Sequence, residues 1–129
     1  MAALNQHITE KVAGDSLRIQ DTYIELPTGI TINKAWLTIK EYAADADIGA
    51  VIQKSITTSL TTSGQITDAT STTDLAISLF FDLTPAETIL LEPYRPYEYD
   101  IQVKTTDSAI YTCVMGQIIM EQGVTVTTT

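Results

Sequence analysis

Apolar residues in this chain recur at every second position, the spacing of a pleated strand with one face buried. Over Ile32–Glu41, Ala35, Leu37 and Ile39 share one side, and Trp36, Thr38 and Lys40 the other. Leu75, Ile77, Leu79 and Phe81 form a second such face, and Tyr97, Tyr99, Ile101 and Val103 a third, the most regular in the chain. Val114, Gly116, Ile118 and Met120 share one parity in a last strand from about Ile110 to Met120. Ala50–Thr58 reads as a strand, and Gln65-Ile66 as a short one inside a Thr-, Ser- and Gly-rich stretch over 61–73. Between Asp15 and Leu26, Leu17 and Ile19 lie on one parity and Ile24 and Leu26 on the other. A phase change near Asp21-Thr22 predicts a β-bulge or a strand that switches sheets.

The breaks between these runs carry turn chemistry. Pro27-Thr28-Gly29 and Thr105–Ser108 read as turns, and Glu41–Gly49 as a small-residue acidic loop. Thr84 is placed to cap a helix, with Pro85 at its first position and Glu87 completing a capping box. Glu92-Pro93 closes that helix, so it is short and falls within 84–91. Residues 1–14 show no core pattern and read as a polar arm that orders on binding; 15–122 form the domain, and 123–129 a Thr-rich tail that frays. About seven short strands, with turn signals at intervals of roughly 8–12 residues, predict an all-β, immunoglobulin-like antiparallel sandwich. Irregular loop lengths fit a closed barrel less well.

Composition sharpens this picture. Thr, Ile and Val occupy 44 of 129 positions, and their stiff Cβ branching suits a sheet. A net charge of −9 excludes the clustered cations that nucleic acid or an anionic membrane surface requires. One cysteine excludes an internal disulfide or a zinc site built on cysteine pairs. No run of about 18 apolar residues is present, and the N-terminus lacks the basic region and apolar core of a signal peptide. The expected site of synthesis is therefore a cytoplasm.

Candidate chemistry is sparse. The only histidine, His7, lies in the arm, away from any nucleophile pattern, and Cys113 lies within a strand as a small buried hydrophobe. Asp45, Asp47 and Gly49 echo the start of a calcium loop, but Ile56 stands where its closing glutamate belongs. Glu98 and Asp100, two apart on a strand, share a solvent-facing side rather than a desolvated acid–base pair. No glycine pattern cradles a nucleotide. The expectation is a protein without catalytic, metal or cofactor site and without a small-molecule substrate. Aromatic residues are the candidates for contact. Tyr94, Tyr97 and Tyr99 gather around Pro93 and Pro96, where one hydroxyl bonded back to the loop would make a tyrosine corner. The alternative is an anchor for a partner or a sugar. Trp36 and Phe80 fall off the core parity of their strands. They either form an exposed interface or lie under the arm or the helix. Trp36, Phe80, Tyr94 and Tyr97 are thus the candidate interface residues.

One set of motifs resembles a known family. Gly14-Asp15 is followed by Ala35-Trp36-Leu37-Thr38-Ile39-Lys40, then Gly64-Gln65-Ile66 and Leu83-Thr84-Pro85-Ala86-Glu87-Thr88. Tyr97-Glu98-Tyr99-Asp100-Ile101-Gln102-Val103 and a last strand around Gly116 complete the order. From Gly14 to Gly123 this is similar to the immunoglobulin-like sandwich of tailed-bacteriophage virion proteins, including the N-terminal domain of baseplate upper proteins. In those proteins a long extension to a receptor-binding module follows, whereas this sequence stops at Thr129. The resemblance therefore implies an adaptor, plug or decoration rather than a complete fibre. It implies a structural virion component of the tail or baseplate, homo-oligomeric and docked on other virion proteins. Head decoration, a neck position, or a host-receptor or glycan-binding module using Tyr94, Tyr97 and the acidic loops are the alternatives.

Overall fold

The period-2 segments become two sheets packed face to face. The computed structural model describes residues 4–24, 26–42, 49–72 and 76–124, with only the backbone described at 4 and 21–24. The chain forms an immunoglobulin-like β-sandwich. Its larger sheet contains β4 (Ile32–Lys40), β5 (Ile52–Ile56), β8 (Pro96–Thr105) and β9 (Ile110–Glu121), joined by β1 (Leu4–Asn5) and β2 (Ile8–Val12). Its strand order is β1-β9-β8-β4-β5, with β2 also beside β9. The smaller sheet places β7 (Ile77–Leu83) between β3 (Leu17–Ile24) and β6 (Gly64–Asp68). Pairing is antiparallel except that β1 and β2 run parallel to β9. The anticipated phase change in β3 is a register shift between Asp21 and Ile24.

Alternation explains which residues meet inside. Leu37 and Ile39 of β4, Ile101 and Val103 of β8, and Ile118 and Met120 of β9 are buried against Ile77, Leu79 and Phe81 of β7. Each such side chain contributes about 1.5–3 kcal/mol over its exposed state. Cys113 is buried beside them as a free thiol. Tyr97 is also inward, and its hydroxyl accepts the Glu92 backbone N–H at 2.9 Å, so the start of β8 is pinned to the preceding loop. The helix α1 (Pro85–Thr88) is a single turn with both halves of the capping box formed. It is shorter than the 84–91 limits because residues 89–90 continue only as a turn.

The N-terminal segment differs from the polar arm that its sequence suggests. Leu4–Asn5 and Ile8–Val12 are strands in the larger sheet, with Leu4 paired to Val114 and Ile8 to Ile118. Gly116 makes this possible. A Cβ there would lie 1.9 Å from the Gln6 carbonyl oxygen, so only glycine lets the segment cross so closely. The Tyr99 hydroxyl donates to that same oxygen at 2.6 Å, and His7 Nδ1 accepts the Gln117 backbone N–H at 3.1 Å. Backbone pairing and these two side chains replace the apolar pattern that the segment lacks.

Candidate functional site

On the outer face of the larger sheet, alternation puts Trp36 and Thr38 of β4 beside Glu98, Asp100 and Gln102 of β8. Trp36 lies across from Ser55 on one side and Gln102 on the other. This face holds a depression of about 410 Å³. Its polar wall is internally bonded. Gln53 Nε2 donates to Thr38 Oγ1 at 3.2 Å, Gln102 Nε2 to Thr112 Oγ1 at 3.2 Å, and Gln117 Nε2 to Glu98 Oε1 at 3.1 Å. The apolar part is open: Ile110 is 57% and Met115 50% exposed, and Trp36 is half-buried under the Lys34 ammonium, 5.2 Å from its ring. Polar groups bonded to one another around open apolar residues resemble an interface rather than a set of groups poised for chemistry.

Phe80, the second off-parity aromatic, lies on the opposite face of the sandwich. It is only 7% exposed, contrary to an interface role. It occupies the middle strand between Gln20 and Gln65, and the Arg18 guanidinium lies 4.0 Å above its ring. Arg18 is fixed there by Asp82, with Nε–Oδ1 at 2.8 Å and Nη2–Oδ2 at 3.0 Å. That bidentate bond also raises the Arg18 pKa above its ordinary value. A covering side chain from β3, neither the arm nor the helix, hides the ring.

Tyr94 and Tyr97 part company as well. Tyr97 is buried and serves the loop bond already described. Tyr94 is 68% exposed, with a left-handed backbone at φ 64° and its N–H bonded to the Met120 carbonyl at 2.7 Å. The four candidate aromatics are therefore not one site. Only Trp36 sits in a cavity, and its neighbours Ile110 and Met115 escaped the strand patterns. Met115 was legible as the off-parity residue between Val114 and Gly116. Asp45 and Asp47 of the calcium-like motif lie outside the described residues, which hold no group of three or more potential metal ligands.

One inward charge stands out. Lys54 shares the core parity of Ile52 and Ile56 on β5, and its ammonium bonds the Asp82 carbonyl and Glu87 Oε1, both at 2.7 Å. Burial alone would push the Glu87 carboxyl up. The Lys54 ammonium and the Thr84 capping bonds outweigh that and hold it below its ordinary value. This ion pair ties β5 to the end of β7 and the α1 turn, and is structural.

No family model matches the chain, and no curated protein is similar to it. Among solved structures, the crystal structure of CopC from Methylosinus trichosporium OB3b is similar at 10% identity and a TM-score of 0.41, covering 96% of this chain and 91% of CopC. That likeness is too distant to bear on function.

Proposed function

We propose that the chain is a non-enzymatic assembly subunit of a tailed-bacteriophage particle, in its tail or baseplate. It acts by docking on further copies of itself and on other virion proteins. The resemblance of its motifs supports the virion setting. The observation that carries the docking role is the outer face of the larger sheet, where Trp36, Ile110 and Met115 stand open within a polar rim. An apolar centre with a polar border suits a protein partner, because Gln53, Gln102 and Glu98 of the border already have hydrogen-bond partners within the chain. A head-decoration or neck position would use the same face. A sugar-binding role built on Tyr94 and Tyr97 is less well supported, since Tyr97 is buried.

Light scattering tests the reading. The intact chain is expected to form oligomers, and Trp36→Glu or Met115→Glu to shift it to monomer without changing its circular dichroism. Trp36 is the sole tryptophan, so its emission should shift to the blue as the face is covered. Oligomers unchanged by either charge would overturn this choice of face.

A further inference from the structure

Among the described residues the smaller sheet has three strands. In the constant-type immunoglobulin arrangement the first strand lies beside the second, giving that sheet four members. Here the first strands go to β9 instead. Among the described residues β3 pairs with β7 on one side only. Beside its other edge runs a groove of about 250 Å³, lined by Ile8, Thr9 and Lys11 of β2 and by Leu17, Ile19 and Gln20 of β3. Leu17 and Ile19 are each 8% exposed, whereas Leu37, Ile39 and Phe81 in the centre are at 0%. With Leu26, also 8% exposed, Leu17 and Ile19 are the least covered apolar residues of the core.

The other edges are guarded differently. β2, β5 and β6 have five residues each, and β2 and β6 carry register irregularities. Short or bulged edges resist pairing with another chain. β3 has eight residues and is the longest edge left with one neighbour among the described residues; its register also shifts between Asp21 and Ile24, so the regular part of that edge is Leu17–Asp21, the part that borders the groove. An edge of that length offers a row of backbone donors and acceptors, which an extended peptide satisfies better than any folded surface.

The sequence contains a segment of the right kind. Gly123–Thr129 reads Gly-Val-Thr-Val-Thr-Thr-Thr, alternating Val124 and Val126 with threonine before closing on threonines. Every residue after Gly123 is β-branched, the composition most at home in a strand. Val124 is fully exposed at the exit from the domain. Seven residues extend roughly 23 Å, enough to run along most of β3. Alternate valines would then cover Leu17 and Ile19.

We infer that β3 is an acceptor edge for strand addition, and that its occupant is the 123–129 segment of a second copy of this chain. This deepens the assembly reading and rests on it, since it names a second surface through which copies join. Each copy carries both acceptor and donor, so reciprocal exchange closes a dimer and head-to-tail exchange generates rings or filaments.

Cysteine trapping in the intact chain tests it, because Cys113 is buried and Gln20 is exposed. Gln20→Cys protein mixed with Thr125→Cys protein should give a covalent dimer on mild oxidation. Substituting Val124→Asp and Val126→Asp in the Thr125→Cys partner should lower its yield at least tenfold. The same two aspartates in the otherwise native chain should raise amide exchange along Leu17–Gln20 and reduce the oligomer seen by light scattering. No mixed dimer, or a yield indifferent to the aspartates, overturns the inference. If Trp36→Glu abolishes assembly while the tail variants leave it intact, strand addition fails and the assembly reading stands. If neither changes an oligomer, both fail.

Discussion

Along one long side of the sandwich, β5 and β6 are sealed to each other. Along the other, β2 and β3 leave a groove. The sealed side is crossed by the chain itself: Ile66 N–H donates to the Thr57 carbonyl at 2.8 Å, and Thr61 and Gly64 exchange backbone bonds at 3.1 and 3.2 Å. Lys54 adds an ammonium reaching from β5 to the β7 carbonyl of Asp82. The opposite side is tied at one end only. There Thr88 Oγ1 accepts the Gly14 N–H at 3.0 Å and donates to the Asp15 carbonyl at 2.7 Å. Beyond that clasp nothing among the described residues bridges β2 to β3 by a backbone bond. A small sandwich can thus be complete on one side and still present an unfinished one, and the unfinished side is where another chain's strand fits.

The comparison can be broken from either side. The largest effect is expected at Gly64, whose φ is +133° and whose added Cβ would lie 2.0 Å from the Phe80 carbonyl oxygen. Gly64→Ala forces both backbone strain and a clash, and should cost about 3 kcal/mol or more in urea denaturation, enough to threaten folding. Gly116→Ala, on the open side, displaces Gln6 rather than the core. It should cost about 1–3 kcal/mol, with fast exchange of the Gln6 amide that now bonds the Met115 carbonyl and little change at β7.

Lys54→Met removes the ion pair on the sealed side and leaves the Glu87 carboxylate without its cation. A loss of about 1–2 kcal/mol at neutral pH is expected. Because Glu87 is held below its ordinary value of 4.5, its contribution is complete above that pH and is lost as pH falls through the folded value. Denaturation at pH 7 and pH 3 should therefore show a smaller acid-induced loss in Lys54→Met than in the native chain. The smallest difference compares two isoleucines: Ile66→Ala on the sealed side should exceed Ile19→Ala on the open side by about 0.3 kcal/mol in urea denaturation, since Ile66 is 2% and Ile19 8% exposed.

Much of this architecture is legible in the residues, for physical reasons. Strands β4, β7 and β8 place alternate apolar residues on the core, although Ser78 and Phe80 of β7 and Thr38 of β4 are covered on the other face as well, and the Thr84-Pro85-Ala86-Glu87 cap is a local hydrogen-bond code that needs no tertiary context. The first strands were not legible. What holds them is backbone pairing to β9 and an absent Cβ at Gly116, and neither leaves an apolar pattern in residues 4–12. Phe80 shows the limit of parity. Its position off the core side was read correctly, yet the guanidinium that covers it comes from Arg18, 62 residues away in sequence. Trp36 kept its outward place because its covering Lys34 is on its own strand and shields only part of it. At the candidate face, Ile110 shares the parity of Val114 and Ile118 and is turned outward by the register shift of β9 between the partners of Ile101 and Gln102, which no periodicity announces, whereas Met115 is off that parity and was legible there.

The most direct test of the account is light scattering on the intact chain over a range of concentrations, with Trp36 emission followed in the same samples. Self-association through the open surfaces predicts masses at multiples of 14.1 kDa and a blue shift that tracks them. A single 14.1 kDa species with unchanged emission at every concentration would contradict it.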